Sequence, residues 1–131
     1  MKFLLDTNIC IAWLKGKDHK LRDKIIQQSP GSLVTCSIVK AELTFGAQKS
    51  QNRVKAEHIL HTLFSQMQSY SFDDESALHY ARIRSILESS GNPIGNNDLM
   101  IASIALQHQL TVVTRNFKEF GKIPALNVES W

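Results

Sequence analysis

The chain has 131 residues, of which 43% are hydrophobic and 21% charged, and its formal net charge is +3. This length allows one domain with a packed core, and the composition excludes an intrinsically disordered chain. No apolar run approaches the roughly 18–20 residues that span a bilayer, and Asp6 interrupts the N-terminal apolar stretch. We therefore expect a single domain over residues 1–131, located in the cytoplasm, with neither a membrane anchor nor a signal peptide.

Cysteine, histidine and charge content narrow the function further. Cys10 and Cys36 are too few for a disulfide framework or a zinc site, and free thiols in a reducing cytosol are expected. The five histidines have no metal-binding spacing. Residues 11–60 carry nine Lys or Arg and four acidic residues. Such a basic half fits either a phosphate-binding face or solvated helix surface, and the charge alone does not choose between them.

Apolar runs and helical periodicities alternate along the chain. The runs predict strands at residues 2–6, 32–36, 69–72 and 110–114, and a final edge strand within 123–131. Helical spacing, with Gly or Pro at several ends, predicts helices at 10–16, 19–28, 37–50, 52–67, 73–91 and 97–109, and a helical turn at 116–120. This alternation predicts an α/β fold whose mostly parallel sheet is covered on both faces. In such sheets ligands bind at the carboxyl ends of the strands.

Three acidic residues end or interrupt apolar runs: Asp6 in KFLLDTN, Glu42 in SIVKAELTFGA and Asp98 in IGNNDLMIASIAL. Asp6 alone could be a turn former or helix N-cap, and Asp98 alone could complement a helix dipole. Glu42 is harder to explain structurally, because Ile38 and Phe45 share its helical face. Together near the strand ends, the three would raise one another's pKa values. A hard cation such as Mg²⁺ or Mn²⁺ relieves that repulsion, so the set predicts a metal site.

The order of these motifs has a known counterpart. LLDTN, then AEL about 36 residues later, GNNDLMIA and a late VVTRNFKEF resemble the PIN-domain ribonucleases, and more narrowly the VapC-type toxins of bacterial toxin–antitoxin pairs. The resemblance implies a PIN-like central parallel sheet of four or five strands. It also implies a Mg²⁺ or Mn²⁺ cluster held by Asp6, Glu42 and Asp98. Many members have Asp where this chain has Asn116, so Glu119 is expected as the fourth acid, supported by Asn116, Thr114 and Thr7.

The resemblance also implies an activity and a substrate. The expected reaction is metal-dependent hydrolysis of RNA, leaving 5′-phosphate and 3′-hydroxyl ends. The expected target is tRNA, with initiator tRNA cut in its anticodon stem-loop as the favoured version. Trp13 and Phe45 are conceivable platforms for base stacking, although core packing is the preferred interpretation of both. Candidate contacts to the RNA backbone are Lys15, Lys17, Lys20, Arg22, Lys24 and Arg115.

Partners follow from the same resemblance. It implies a VapB-type antitoxin that blocks the acidic pocket and carries the DNA-binding part, and it implies homodimers. Helix 53–67 and the helix before it are candidate contact surfaces, unless their apolar stripe fills the chain's own core. One alternative is a catalytically inactive PIN-like module that binds RNA or protein. A phosphatase or response-regulator domain is a weaker alternative, because Asn8 stands where the phosphatase pattern requires a second Asp.

Overall fold

Five short strands form one parallel sheet in this computed structural model, which describes residues 1–131. The strands are β1 (Phe3–Leu5), β2 (Leu33–Cys36), β3 (Gln68–Tyr70), β4 (Thr111–Val113) and β5 (Val128–Glu129), arranged in the order β3-β2-β1-β4-β5. All four neighbouring pairs are parallel. The predicted α/β fold with a parallel sheet of four or five strands is confirmed, and the last strand lies at an edge as expected.

Seven helices connect these strands. They are α1 (Thr7–Lys15), α2 (His19–Ile26), α3 (Ser37–Gln48), α4 (Arg53–Ser65), α5 (Asp74–Ser89), α6 (Asn96–His108) and α7 (Phe117–Phe120). Every predicted helix is present. The first helix begins at Thr7 rather than residue 10, because Asp6 acts as its N-cap. None of the seven combines the length and apolarity that crossing a bilayer would require.

The centre of the sheet is apolar on both faces. Leu4 and Leu5 of β1 are fully buried, and so are Val112 and Val113 of β4. Continuous apolar runs of this kind fit a parallel sheet covered by helices on both sides, and each buried Leu or Val contributes roughly 1.5–3 kcal/mol. These two strands therefore form a firmly packed base for the polar residues that directly follow them, Asp6 and Thr114.

The strand order reverses at β1, which fixes where a ligand can bind. The chain proceeds from β1 outward to β2 and β3, then returns to place β4 on the other side of β1. Crevices at such switch points are the usual ligand sites of open α/β sheets. Leu5 lies opposite Val113 in the register, so Asp6 and Thr114 leave the sheet side by side.

The helices around the sheet pack mainly against one another in pairs. Helix α3 contacts α1, α4 and α6, while α5 lies along α6. The predicted stripe of α4 only partly fills the core: Leu60 and Leu63 are buried, but Ile59 is 40% exposed. The buried residues of α3 are Val39, Leu43 and Ala47. Phe45 therefore faces outward at 62% exposure, and the preferred interpretation that it packs in the core is wrong.

Two glycines with open space around them allow a matched test of backbone conformation. Gly16 ends α1 with φ +68°, whereas Gly46 lies inside α3, and an added Cβ would meet no atom within 4 Å at either position. We expect Gly16→Ala to lower the free energy of unfolding by about 1–2 kcal/mol, because an L side chain disfavours this left-handed conformation. Gly46→Ala should raise the free energy of unfolding by about 0.5–1 kcal/mol. Urea denaturation measures both, and effects of the same sign would contradict the two assigned conformations.

Candidate active site

Asp6 is the most deeply placed acid of the molecule. It directly follows β1, and its side chain is only 5% exposed. One carboxylate oxygen accepts a hydrogen bond from the Ile9 backbone N–H at 2.9 Å, which caps α1. The other accepts the Thr114 hydroxyl at 2.5 Å. Burial raises the pKa of Asp6, and these two hydrogen bonds oppose that rise.

Asp98 lies across the crevice from Asp6, in the first turn of α6. Its carboxylate accepts a hydrogen bond from the Asn116 side-chain amide at 3.2 Å. Partial burial raises the pKa of Asp98 first, and the negative charges of Asp6, Glu42 and Glu119 raise it further. Three other acids are therefore near enough for their charges to act on Asp98.

Glu42 enters this group from α3 and is half-buried. Its side chain accepts the Thr7 hydroxyl at 2.8 Å, which connects α3 to the first residue of α1. The charge of Glu42 also raises the pKa of Asp6. Thr7, which directly follows Asp6, thus holds the Glu42 side chain beside the site.

The three residues after β4 each take a different role. Thr114 is fully buried, and its hydroxyl also accepts the Asn116 backbone N–H at 2.9 Å. The Arg115 side chain points outward, forms an ion pair with Asp18 and donates to the Trp131 carbonyl at 3.4 Å. Glu119 follows in α7 and is half-buried. Asn116 donates a hydrogen bond to Asp98, and the charge of Glu119 acts on Asp98, so both residues border the site.

The donor chemistry of this group suits a hard divalent cation, since it consists of carboxylate oxygens that repel one another. However, no three Asp, Glu, His or Cys side chains lie close enough together to hold a metal ion. Glu42 and Asp98 instead direct oxygens at Thr7 and Asn116. One shared ion would therefore require at least one carboxylate to rotate toward the others.

Only some of the predicted RNA-contacting residues lie together in the structure. Lys15, Lys17 and Lys20 line one open cleft at the α1–α2 junction. Arg115 adjoins it through its ion pair with Asp18, whereas Arg22 does not line it. Trp13 is partly buried against the core, as its preferred interpretation predicted. Exposed Phe45 lies below the Lys49 ammonium, which is 4.5 Å from its ring centre.

Two features of this region were missed from the sequence. Asp18 caps α2 by accepting the Leu21 N–H at 3.0 Å, and an Asp just before a helical pattern is a recognised N-cap signal. Its pairing with Arg115, 97 residues away, has no local signal. The second feature is an apolar groove of about 530 Å³ between α1, α3 and α4, with Glu42 in its wall. Its exposed apolar residues are Ile11, Leu14 and Ile59.

Comparison with known proteins assigns this site to a family. The family profile described as the PIN domain matches residues 3–126. Ribonuclease VapC2 of Rickettsia felis is 37% identical over 132 residues, a match that covers this whole chain and 98% of the relative. The chain belongs to the VapC-type ribonuclease toxins of the PIN-domain family. The resemblance inferred from the DTN, AEL, NDLMIA and TRN motifs is confirmed.

Other VapC relatives agree over the same full length. The tRNA(fMet)-specific endonuclease VapC of Salmonella typhimurium is 34% identical and matches across this entire chain and 98% of its own. The crystal structure of DNA-bound VapBC from the same organism superposes with a TM-score of 0.93 over 100% of this chain and 98% of that one. VapBC2 from Rickettsia felis, bound to a promoter DNA fragment, gives a TM-score of 0.89 at 33% identity, over 100% of this chain and 99% of that one. The VapC fold is therefore retained from end to end.

The Thr114–Asp6 hydrogen bond gives a direct test of how the site is held. Thr114→Val keeps the side-chain shape but removes the hydrogen-bond partner of one oxygen of the buried Asp6 carboxylate and of the Asn116 N–H. We expect it to lower the free energy of unfolding by about 2–3 kcal/mol. Thr114→Ser is the matched control, since it retains the hydroxyl and should lose at most about 1 kcal/mol for the missing methyl group. Equal losses for Val and Ser in chemical denaturation would mean that the hydroxyl does not stabilise Asp6.

Proposed function

We propose that this VapC-type chain is a Mg²⁺- or Mn²⁺-dependent endoribonuclease, acting as one domain over residues 1–131. The observation that carries this proposal is the gathering of acids at the sheet's switch point, where the charges of Asp6, Glu42 and Glu119 all act on Asp98. Asp6, Glu42 and Asp98 would bind the cation, with Glu119 as the fourth acid. A divalent cation held there would supply an activated water and would neutralise charge on the departing oxygen.

The chain's own side chains favour water over a protein nucleophile. The hydroxyls of Thr7 and Thr114 are committed as donors to Glu42 and Asp6. Both cysteines are buried, and burial raises the pKa of Cys10 to about 12, so no reactive thiolate is present near neutral pH. Hydrolysis by water fits products with 5′-phosphate and 3′-hydroxyl ends, without a 2′,3′-cyclic intermediate.

The surrounding residues support the geometry of such a reaction. Asp6 is fixed by two hydrogen bonds and cannot rotate without losing its cap on α1. Asn116 orients Asp98, and Thr7 orients Glu42. Asp6 therefore serves as the fixed reference of the site, while Glu42 and Asp98, each held by a single side-chain hydrogen bond, would exchange that bond in turning toward a common ligand. This arrangement suits a site that closes around its ion.

For the substrate we propose tRNA, cut in the anticodon stem-loop of the initiator species, with inhibition of translation as the result. Full-length relatives at 34% identity are tRNA(fMet)-specific endonucleases, which supports this choice. The basic residues Lys15, Lys17, Lys20, Arg22 and Arg115 would contact the RNA backbone, since phosphate contacts position a nucleic acid without reading its sequence.

For control of the enzyme we propose a cognate VapB-type antitoxin whose tail occupies the apolar groove between α1, α3 and α4. Glu42 lines this groove, so a segment bound there would run directly to the acidic site. Solved relatives are DNA-bound VapBC complexes, one of them on a promoter fragment, which supports an antitoxin partner and DNA contact through that partner. A homodimer, and a higher hetero-oligomer with antitoxin, complete the proposed assembly.

Cleavage by purified, antitoxin-free protein tests the proposed function. With total bacterial tRNA and Mg²⁺ or Mn²⁺, the wild type should give discrete fragments bearing 5′-phosphates, and EDTA should abolish them. Asp98→Asn should lower the rate about 100-fold or more, because it removes one carboxylate charge from the site. Asp74→Asn is the matched control, since it makes the same change at an exposed position in α5.

Two results would contradict the proposal. A folded wild type that cuts no tRNA, rRNA or mRNA with either metal would favour the alternative of an inactive RNA- or protein-binding module. Equal cleavage by the wild type and Asp98→Asn would place the active site elsewhere.

A further inference from the structure

The α1–α2 junction forms an open, strongly basic cleft of about 410 Å³. Its wall contains Lys15, Lys17, His19 and Lys20, with one acid, Asp18, and one apolar residue, Ala12. The lysines lie within six residues of one another, on both sides of a helix boundary. The cleft thus concentrates positive charge on a concave surface.

The lysine charges of this cleft have no ion-pair partners. The ion pairs of the molecule are Arg53–Glu57, Arg84–Glu88 and Arg115–Asp18, and none includes a cleft lysine. Asp18 is the one acid that lines the cleft, and both its oxygens are engaged, by the Leu21 N–H and by Arg115. The positive charge of the cleft is therefore free to act on a ligand.

Helix stability does not explain these lysines as a set. Lys15 in the last turn of α1 is favourably placed for the helix dipole. Lys20, however, lies in the first turn of α2, which contains no acidic residue and where the dipole disfavours a cation. The α2 N-terminus is already capped by Asp18, so Lys17 and Lys20 are not needed to cap it.

The cleft is connected to the acidic site at two points. Helix α1 starts beside Asp6 and ends at Lys15, about 14 Å further on at 1.5 Å per residue, a separation that a few nucleotides can span. Arg115 directly follows Thr114, the hydrogen-bond partner of Asp6, and its ion pair with Asp18 attaches this segment to the cleft. The charge of Arg115 also acts on Asp6.

We propose that this cleft binds the sugar–phosphate backbone of the substrate RNA a few nucleotides from the cleaved bond. The Asp18–Arg115 ion pair would keep the cleft at a fixed distance from the acidic site. This proposal rests on the proposed ribonuclease function and specifies the path of the RNA strand outside the acidic site. A repeating polyanion fits better than an acidic peptide, because the cleft offers only Ala12 to an apolar side chain.

The salt dependence of RNA binding tests this inference. The probe is a fluorescein-labelled initiator-tRNA anticodon stem-loop, bound to the full chain in an Asp98→Asn background and followed by anisotropy over a range of KCl concentrations. We expect Lys17→Glu/Lys20→Glu to weaken binding. The slope of log K against log[salt] should become shallower by roughly 0.7 for each lysine that contacts a phosphate. These two lysines do not line the apolar groove, so the proposed antitoxin contact is left intact.

Matched controls separate the cleft from total charge. Lys55→Glu/Arg82→Glu makes the same charge change at exposed positions on α4 and α5, and should leave the slope unchanged. If the thermal midpoint of Lys17→Glu/Lys20→Glu falls, Lys17→Gln/Lys20→Gln replaces it, with the same direction expected.

Several outcomes would overturn the inference. One is a slope for the cleft variant equal to that of the parent or of the control variant. Another is competition by polyglutamate as effective as that by unlabelled RNA, which would indicate an acidic peptide ligand or unselective attraction. If the wild type cleaves tRNA but the cleft variant binds it normally, only this inference fails. If the wild type neither binds nor cleaves RNA, the proposed function fails with it.

Discussion

The burial of one carboxylate, Asp6, is the constraint on which the rest of this structure depends. A buried charge is tolerated only when hydrogen bonds or opposite charges compensate it. Asp6 obtains that compensation from the Ile9 N–H at the start of α1 and from the Thr114 hydroxyl after β4. The Thr114 hydroxyl reaches Asp6 only because β1 and β4 are paired in register. The sheet therefore places Asp6, and Asp6 in turn determines where α1 begins and where the chain leaves β4.

Around that fixed acid, the fold gathers charges that oppose its stability. Asp98 and Glu42 come from two different helices, and Glu119 from a third. Like charges brought together favour the unfolded state unless a cation or protons relieve them. A molecule selected for stability alone would have little reason to collect four acids at the crevice where α/β sheets bind ligands. Their concentration at this position, beside a cleft of unpaired lysines, suits a site that attracts a metal and a polyanion together.

Most of the architecture could be predicted from local patterns, and the differences have physical causes. The alternating strands and helices follow from apolar runs and helical spacing. The start of α1 does not, because the Asp6 cap begins the helix within the polar DTN segment, three residues before the apolar spacing starts at Cys10. Strand β3 (Gln68–Tyr70) begins one residue before the predicted run, since this edge strand is largely exposed and lacks a clear apolar pattern. In α3 two stripes were possible, and packing selects Val39, Leu43 and Ala47, which turns Phe45 outward. The acids themselves could be predicted, but the Asp18–Arg115 pair could not.

Divalent-metal binding tests the central claim most directly, because it does not depend on knowing the RNA target. Calorimetric titration of Mn²⁺ into antitoxin-free protein should show saturable binding. Asp98→Asn should weaken that binding at least about tenfold, whereas the exposed Asp74→Asn should not change it. Loss of affinity confined to the crevice variant would support one metal site shared by Asp6, Glu42 and Asp98. Absence of saturable binding, or equal affinity in both variants, would contradict it.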